Sequence, residues 1–422
     1  MPTPSFDSIV ILSASNWFKE LRSNRYHYAS RFAKKVPVFF VQPDLCYKNY
    51  RFEDTEVEKI KVLHLWKRFD NYQANLLKFA LQQVSANKPV FWLYNGRFNN
   101  ILLQCDSVLN VYHATEDYFS LDSYAVTNKS LIDALNQLLP QCQLLISVSD
   151  GVAASFQQKS TFNGKHITVT NGCDYKFYSI DSSAPQQLPG ATPIAFYQGN
   201  IFNKLDYDLL IKLVTSMPSW KFQFCGPVLY NEKEWQQLCL LKNVQYLGVL
   251  TPEKIREFSY RATVGLIPYV EDDRIIKRGF PLKAFEYLAC GLPVVSVPIE
   301  ALLPFNEIIH FASGVGAFER EILRAEQLRY DSSFLLKRLQ AAKQQDYDAK
   351  VNQVFTLMQE LAELNIKPIQ AIKSCNLASS SYWVAKNPLI KCLLLLKDRI
   401  PEQLKNLIKP SIRKALIKKW LD

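Results

Sequence analysis

The stretch RGFPLKAFEYLACGLPVVSV, Arg278–Val297, decides the fold. Proline suits the first turn of a helix, so Pro281 marks a helix start. Apolar residues then recur at helical spacing, and Gly291, followed by a proline, ends the helix as a left-handed cap. The next residues, Val294–Val297, are typical of a buried strand. A helix that leads directly into a buried strand indicates an α/β domain.

Two charged residues of this helix, Lys283 and Glu286, are three positions apart and therefore share one face. A cation in the first turn adds to free backbone N–H groups and the positive end of the helix dipole, which together attract phosphate. A carboxylate one turn further on can accept hydrogen bonds from two vicinal sugar hydroxyls. A site that binds pyrophosphate at the helix start and ribose one turn further on would bind a sugar nucleotide. The alternative is a solvated i,i+3 pair that stabilises the helix by a few tenths of a kcal/mol.

Length and composition fit a globular chain of more than one domain. The chain has 422 residues, of which 48% are hydrophobic, enough for two domains with separate cores. Its nine cysteines form no C-x-x-C pair, which argues against a zinc site or a disulfide framework and for a reducing compartment. No leader is expected, because Ile9–Leu12 is predicted to be a first strand, and no apolar run approaches the roughly 20 residues that span a bilayer. We therefore expect a cytoplasmic location, free or peripheral at the inner face of the membrane.

The first half of the chain alternates predicted strands with helical stretches, which predicts a parallel sheet covered by helices. The predicted strands are Ser8–Leu12, Val36–Val41, Val57–Trp66, Val90–Tyr94, Ser107–Tyr112 and Gln143–Val148. No G-x-G-x-x-G follows the first strand, so the dinucleotide fingerprint is absent. Ligands of open parallel sheets bind beyond the carboxyl ends of the strands. That rule places Ser13–Trp17, Asn95 and His113–Tyr118 along one cleft.

Two groups of residues on this rim are candidates for chemistry. Arg22, Arg25 and His27 surround the start of the first helix and are candidates to bind an anionic acceptor or phosphate; the alternative is a solvated helix terminus. After an apolar strand come His113, Glu116 and Asp117. One of the two carboxylates could act as general base toward an acceptor hydroxyl while the other caps the next helix, and both are preferred over the histidine in this role.

The second half repeats the alternation, from a strand at Ile194–Tyr197 onward. Gly199 follows that strand, and a glycine there lets backbone N–H groups approach a phosphate closely. Lys204 supplies a counter-charge. Gly226 follows the next strand, and Gly248-Val249 the third. Residues 182–192, rich in Ser, Pro and Gln, form the predicted linker between the halves.

The Arg278–Val297 stretch resembles the donor-binding helix of GT-B glycosyltransferases of the family 4 / group 1 type, and within it a polysaccharide-assembly subgroup. Those enzymes typically read E-G-F-P-(x)4-E-A-x-A-x-G-x-P-V-V. Glu286 matches their second glutamate, whereas Arg278 replaces the first, which in the family lies near the donor sugar. The glycine loop at Gly199 with Lys204 matches the family's phosphate loop, and the Gly248-Val249 loop matches the one that contacts the base through backbone atoms. His113–Tyr118 resembles a "vYDxxDDy" segment, and the whole resemblance covers about Asp7–Leu361.

The resemblance implies an α/β protein of the GT-B fold, with two Rossmann-like domains facing across a cleft. We expect an acceptor-side domain in residues 1–176, a linker in 177–192 and a nucleotide-sugar-binding domain in 193–348. A helix in 349–370 is expected to return to the first domain. The predicted nucleotide-sugar site comprises Gly199, Lys204, Gly226, Val249, Arg278, Lys283 and Glu286.

Residues 371–422 are predicted to form a basic amphipathic helical tail. From Lys386 onward there are ten Lys and Arg against three acids, so +7 of the formal +11 charge lies there. Basic amphipathic helices settle at anionic membrane surfaces. The alternatives are packing on the protein's own body or on a second subunit, and binding of nucleic acid. We favour the membrane surface and expect no nucleic-acid partner.

Two acidic clusters, Asp206–Asp208 and Glu271–Asp273, could suggest a metal. The first spells D-x-D but starts a predicted helix, where acids favour the dipole, so we expect no metal and no cofactor. The predicted activity is hexosyl transfer from a UDP- or GDP-sugar to a lipid-linked surface-glycan acceptor, with retention of anomeric configuration. Two alternatives remain: a non-hydrolysing sugar-nucleotide epimerase, and a degenerate non-catalytic subunit of a glycan-assembly complex, which Arg278 suggests.

Overall fold

The computed structural model describes residues 5–19, 22–44, 49–67, 69–119, 129–179, 192–229 and 232–364. The strands are β1 (Ser8–Leu12), β2 (Val38–Asp44), β3 (Tyr50–Asp54), β4 (Ile60–Trp66), β5 (Pro89–Leu93), β6 (Leu109–Ala114), β7 (Leu144–Ser147), β8 (Lys165–Thr168), β9 (Ile194–Gln198), β10 (Lys221–Cys225), β11 (Val244–Tyr246), β12 (Val264–Ile267), β13 (Val294–Ser296) and β14 (Ile309–Phe311). The helices are α1 (Asn24–Phe32), α2 (Asn71–Gln83), α3 (Asn99–Gln104), α4 (Lys129–Leu138), α5 (Asp150–Lys159), α6 (Tyr175–Tyr178), α7 (Tyr207–Ser216), α8 (Glu232–Cys239), α9 (Pro252–Arg261), α10 (Asp273–Arg278), α11 (Leu282–Ala289), α12 (Val315–Gln327), α13 (Ser332–Gln344) and α14 (Tyr347–Leu364).

The first domain contains an eight-stranded sheet in the order β3-β4-β2-β1-β5-β6-β7-β8. The strands are parallel except for β3, which pairs antiparallel with β4 at the edge. Chain order reverses between β1 and β5, so the loops that follow these two strands diverge and open a cleft. The loop after β1, with Ser13, and Asn95 after β5 lie on either side of this point.

The edge strand β3 was not predicted, and the strand after it starts later than predicted. The sequence YRFED of β3 carries three charged residues and shows no buried face, which is typical of an edge strand. The predicted strand Val57–Trp66 begins only at Ile60, because Val57–Lys59 form the turn that joins β3 to β4. Lys59 adopts a left-handed conformation in that turn, with φ of 64°.

The second domain contains a six-stranded parallel sheet in the order β11-β10-β9-β12-β13-β14. Its chain order reverses between β9 and β12, so the loop after β9, which begins with Gly199, opens at the switch point. The prediction of two α/β domains built on parallel sheets is confirmed.

Helix α11 follows the signals of its sequence closely. Pro281 is its N-cap in extended conformation (φ −73°, ψ 121°), one position before the first helical residue. Ala284, Phe285 and Leu288 are fully buried on one face. Gly291 adopts φ of 66°, the left-handed cap that the sequence predicts. The chain then enters β13 directly.

Helix α14 crosses back to the first domain. Its buried residues Tyr347, Val351 and Met358 belong to the same apolar cluster as β1 and α1. The sequence predicts one helix over Ser332–Asn365, but the structure breaks it between α13 and α14. The break occurs because Tyr347 N donates to Cys173 O at 3.1 Å, so the backbone here pairs with the segment that leaves the first domain.

Residues 365–422 lie outside the described part of the chain, and with them the predicted basic tail 371–422 and the end of the predicted helix 349–370. The predicted linker 177–192 is described only at its two ends. Within the described ranges, none of the helices combines the length and the apolar character needed to cross a membrane.

The return of α14 predicts that a C-terminal residue stabilises the N-terminal domain. Met358→Ala removes a fully buried side chain and should lower the free energy of unfolding by about 2–5 kcal/mol. Gln353→Ala, on the exposed face of the same helix, should change it by less than about 0.5 kcal/mol. Urea unfolding of both variants measures the difference, and equal midpoints would contradict the packing of α14 on the first domain.

Candidate functional site

Three glycine loops at the carboxyl ends of β9, β10 and β11 stack against one another. Gly199, Gly226 and Gly248 have φ of 127°, 129° and 75°, which L side chains rarely adopt. Gly199 N donates to Cys225 O at 3.0 Å, and Gly226 N donates to Gly248 O at 2.9 Å. A Cβ on Gly226 would lie 2.1 Å from Gly199 O, so this approach requires glycine. The loops thus expose backbone at the switch point of the sheet.

The side chain of Lys283 reaches into this backbone surface from the first turn of α11. Its Nζ lies 3.8 Å from the centroid of the Tyr197 ring and 5.1 Å from that of Tyr269. A Cβ on Gly199 would lie 2.7 Å from the same Nζ, so the missing side chain of Gly199 makes the space that Lys283 occupies. Lys283 is only 8% exposed, and no carboxylate of the described residues lies within ion-pair distance of it. The result is an enclosed ammonium group held by rings and backbone.

Lys204 approaches the same place from the loop before α7. Burial raises the pKa of Tyr269, but the charge and hydrogen bond of Lys283, the charge of Lys204 and a hydrogen bond of Tyr197 together lower that pKa below its ordinary value. Both lysines are therefore within electrostatic reach of one phenol. The structure brings the two predicted cations together, and the region around Tyr269 is positive.

Glu286 lies one turn beyond Lys283 and is partly buried. Gln198 at the end of β9 donates its side-chain N–H to the Glu286 carboxylate. Burial raises the pKa of Glu286 to about 7, although Lys283 and the hydrogen bond from Gln198 oppose the shift. Gln198 is in turn fixed by its own backbone N–H, which donates to the Tyr287 hydroxyl at 2.8 Å. The carboxylate is thus oriented before any ligand arrives.

Arg278 and Asp117, which the sequence analysis assigned to separate roles, form an ion pair between the domains. Arg278 Nε lies 2.7 Å from Asp117 Oδ2, and the Asp117 side chain is only 1% exposed. The other carboxylate oxygen accepts hydrogen bonds from Ser155 Oγ at 2.8 Å and Phe119 N at 3.0 Å. Asp117 is thus paired with Arg278 through one oxygen and hydrogen-bonded through the other, and its role as a base stays a prediction. Arg278 Nη1 is buried and has no hydrogen-bond partner among the described residues.

The other two candidates from this loop differ in burial. Glu116 is exposed to solvent. His113 is 1% exposed and stacks on Tyr94 with ring centroids 5.2 Å apart. Burial, helped by the charge of Arg25, lowers the pKa of His113 to about 3, so the ring is neutral near pH 7. Neither ring nitrogen has a hydrogen-bond partner among the described residues.

The three basic residues at the start of the first helix separate in the structure. Arg22 pairs with Glu253 of α9 at 3.1 Å and so bridges the domains. Arg25 lies over the ring of Tyr94, 5.0 Å from its centroid. His27 is fully buried and stacks on Tyr347 of α14 at 4.4 Å, where burial and Arg31 hold its pKa well below the usual range. His27 therefore lies in the core of the first domain, since its position on α1 turns it toward α14.

The remaining predicted residues lie at the edges of this cleft. Val249 is 57% exposed, beside Gly248. Asp206 accepts from Leu209 N at 2.9 Å as the N-cap of α7, and Asp208 pairs with Lys212. Asp272 likewise caps α10 through Ile275 N. Both acidic clusters thus serve helix starts.

A buried hydrogen-bonded chain that the sequence did not reveal links the two domains behind this site. Tyr94 donates to Asn24 at 3.0 Å, Asn24 donates to Asn171 at 2.7 Å, and Asn171 donates to Phe280 O at 3.0 Å. Ser149 Oγ adds a bond to Arg278 O at 3.0 Å. Asn171 stands before a glycine, which is a local turn signal, and nothing in this pattern indicates these distant partners.

Comparisons with known proteins agree with this geometry. Residues 192–322 match the family model described as Glycosyl transferases group 1. A curated relative from Bacillus subtilis (strain 168), "Putative teichuronic acid biosynthesis glycosyltransferase TuaH", is 29% identical over 164 residues, which are 38% of this chain and 41% of the relative. The chain thus matches less than half the length of that relative.

Solved structures match over most of the chain. Sucrose-phosphate synthase from Thermosynechococcus elongatus aligns with a TM-score of 0.68 and 14% identity, covering 85% of this chain and 100% of that one. Anabaena HepE in complex with UDP and glucose aligns with a TM-score of 0.62 and 16% identity, covering 84% and 100%. Likeness at this level of identity shows the fold. The predicted GT-B fold is confirmed.

The stacked glycine loops lead to a prediction about stability. Gly226→Ala should lower the free energy of unfolding by about 2–5 kcal/mol, because a Cβ collides with Gly199 O in addition to straining φ. Gly248→Ala is a matched control, since its φ is also positive but its Cβ meets nothing within 4 Å. It should cost about 1–2 kcal/mol. Thermal unfolding of both variants tests this, and a Gly226→Ala protein as stable as the control would contradict the close approach.

The raised pKa of Glu286 predicts a pH-dependent stability. Because the folded pKa of about 7 exceeds the ordinary value of 4.5, its contribution is full below pH 4.5 and is lost as pH rises through 7. Glu286→Gln should therefore gain stability relative to the natural protein as pH rises from 5 to 8, by less than about 1.4 kcal/mol per pH unit. Unfolding midpoints at several pH values measure this, with exposed Glu360→Gln as the control. A difference that does not change with pH would refute the shift.

Proposed function

We propose that this protein is a glycosyltransferase that moves a sugar from a UDP- or GDP-sugar to a surface-glycan acceptor. The observation that carries the proposal is Lys283, an enclosed ammonium beside the Gly199 loop, with the oriented carboxylate of Glu286 one turn away. Here Lys283, Lys204 and the backbone N–H groups at the start of α11 bind the pyrophosphate. Glu286 accepts hydrogen bonds from the ribose hydroxyls.

The chemical class of the substrates follows from the site and from its relatives. Solved HepE structures contain UDP or UDP-glucose, which supports a nucleotide-sugar donor. The curated relative is named for teichuronic acid biosynthesis, which supports a polysaccharide acceptor. The exposed loop at Gly248 and Val249 lies where a base can meet backbone atoms. We extend the proposal to a lipid-linked acceptor, with the basic tail 371–422 at the membrane surface.

The chemistry needs charge neutralisation of the leaving nucleotide and removal of a proton from the acceptor. Lysines and a helix N-terminus supply the first without a metal. For the second, Asp117 is engaged by Arg278 and Ser155, and neutral His113 is a hydrogen-bonding group more than a base. In transfer with retention, a phosphate oxygen of the donor takes the acceptor proton. This route needs no side-chain base. It therefore fits a site in which Asp117 is paired with Arg278 and the low pKa of His113 makes that ring a weak base.

A second function is favoured by one observation. Arg278 stands where the family has a glutamate near the donor sugar, and it is neutralised by Asp117. This pair could mark a non-catalytic subunit that keeps nucleotide binding but has lost turnover. The Nη1 of Arg278, which has no partner among the described residues, favours the enzyme, because it leaves one buried donor for a ligand.

The decisive experiment is turnover with a panel of UDP- and GDP-sugars, with and without a membrane extract that carries glycan acceptors. Release of UDP or GDP together with a glycosylated product supports the proposed transferase. Nucleotide binding without release from any donor supports the non-catalytic subunit. An epimerised sugar nucleotide formed without acceptor would identify an epimerase instead.

Removal of the Lys283 charge should weaken nucleotide binding. Lys283→Met keeps an aliphatic stem against Tyr197 but loses a charge-assisted contact to phosphate, on the order of 1.5–3 kcal/mol. Exposed Lys242→Met on the same domain should bind as the natural protein does. Titration calorimetry with UDP and GDP compares the variants. Unchanged affinity of Lys283→Met would remove the central claim.

Chelation of metals should leave transfer intact. Because Asp206 and Asp208 are engaged by Leu209 N and Lys212, neutralisation is assigned to Lys283 and Lys204. Activity measured in excess EDTA should equal activity without it. Loss in EDTA with recovery on addition of magnesium or manganese would contradict this assignment.

A further inference from the structure

A cavity of about 710 Å³ lies on the outer side of α1, and its lining includes none of the residues around Lys283. One wall is formed by Tyr26, Ser30 and Lys34, which follow one another at four-residue spacing along the helix. The turn before β4 and the segment from Asp174 to Phe177 form two more walls. The second domain contributes Arg256. The cavity is therefore shared by both domains.

The lining of this cavity carries more positive than negative charge. Of its three acids, Asp174 and Asp348 pair with Arg31, and Asp348 also lies 3.6 Å from Lys34. Three further cations reach the cavity from three separate segments: Lys59, Lys176 and Arg256. None of the three makes an ion pair with a carboxylate in the ranges that the structure describes. All three line the same cavity, where Arg256 also donates to Phe177 O at 2.9 Å, so an anionic ligand would be attracted to it.

Two aromatic rings and the size of the cavity narrow the class of ligand. Tyr26 stacks on Trp17 with centroids 5.3 Å apart, and Arg22 lies over the ring of Phe177 at 4.4 Å. Arg256 also lies over the Phe177 ring, 5.2 Å from its centroid, so a sugar ring would pack on Tyr26, which its stacking on Trp17 holds in place. The volume is that of a pocket for a whole organic ligand and exceeds the need of a single phosphate.

None of the residues that line the cavity is among those that surround Lys283. At the edge of the cavity Arg22 pairs with Glu253 at 3.1 Å and lies over the ring of Phe177, so the two domains are held together there. We expect a ligand in the cavity to leave the glycine loops open to a nucleotide.

We propose that this cavity binds an anionic oligosaccharide, with Lys59, Lys176 and Arg256 on its acidic groups and Tyr26 against a sugar ring. Because Lys59 belongs to the first domain and Arg256 to the second, the ligand spans both. The site goes beyond the proposed transfer reaction and does not depend on it.

The test is binding of tetragalacturonate to the full chain, measured by calorimetry, with neutral maltotetraose in a parallel titration. The double variant K59E/K176E reverses two exposed charges of the cavity, and K165E/K242E reverses two exposed charges elsewhere as a control of equal net charge. We expect tetragalacturonate to bind and maltotetraose not to bind. Its dissociation constant should rise at least about tenfold in the cavity variant and stay unchanged in the control.

Several outcomes would overturn the proposal. They are no binding of tetragalacturonate, equal weakening in both double variants, and full displacement by saturating UDP, which would place the anion in the donor cleft. UDP binding is measured on the same proteins. The comparison of K59E/K176E with K165E/K242E tests the cavity without UDP. Absence of nucleotide binding would therefore count against the proposed transferase but not against the proposed oligosaccharide site.

Discussion

The enclosed ammonium of Lys283 is the feature on which the second domain's cleft depends. A buried cation usually has a carboxylate partner, but here the rings of Tyr197 and Tyr269 and the backbone of Gly199 lie beside it instead. The arrangement is possible only because Gly199 has no side chain, and Gly199 can approach only because Gly226 has none either. Burial without a counter-ion among the described residues leaves the charge available to an anionic ligand. The position of Lys283 at the switch point of the sheet therefore depends on both glycines.

The start of α11 is held from the first domain as much as from its own. Ser149 binds the carbonyl of Arg278, Asn171 binds the carbonyl of Phe280, and Asp117 binds the guanidinium of Arg278. These contacts fix the three residues that precede Pro281. A change in the relation of the two domains would therefore move the helix end that carries Lys283. The arginine that departs from the family pattern is a cross-domain contact in this structure.

The sequence predicted what its local patterns determine. The bounds of α11, its buried face and the left-handed Gly291 follow from neighbours a few residues away, and the structure agrees with them. The glycine loops were also predicted, because each directly follows an apolar strand. Lys283 and Glu286 were brought together by helical spacing alone, which requires no tertiary contact.

Pairings between distant segments could not be predicted in the same way. His27 stands beside two arginines in the sequence, yet it faces α14, which arrives some three hundred residues later. Asp117 has the residue type of a base, but only the fold brings Arg278 to it. The edge strand β3 lacked an apolar face and gave no signal. In each case the deciding contact is long-range, and a single sequence carries no pattern for it.

The return of α14 makes the N-terminal domain discontinuous in the chain. Tyr347, Val351 and Met358 complete an apolar cluster whose other members include residues of α1 and of six strands of the first sheet, β1, β2, β4, β5, β6 and β7. During synthesis the ribosome delivers these strands and α1 long before α14 exists. The first sheet must therefore wait, with one face partly uncovered, until the whole second domain has been made. The N-terminal domain can therefore be completed only after the second domain has been synthesised, although its strands are translated first.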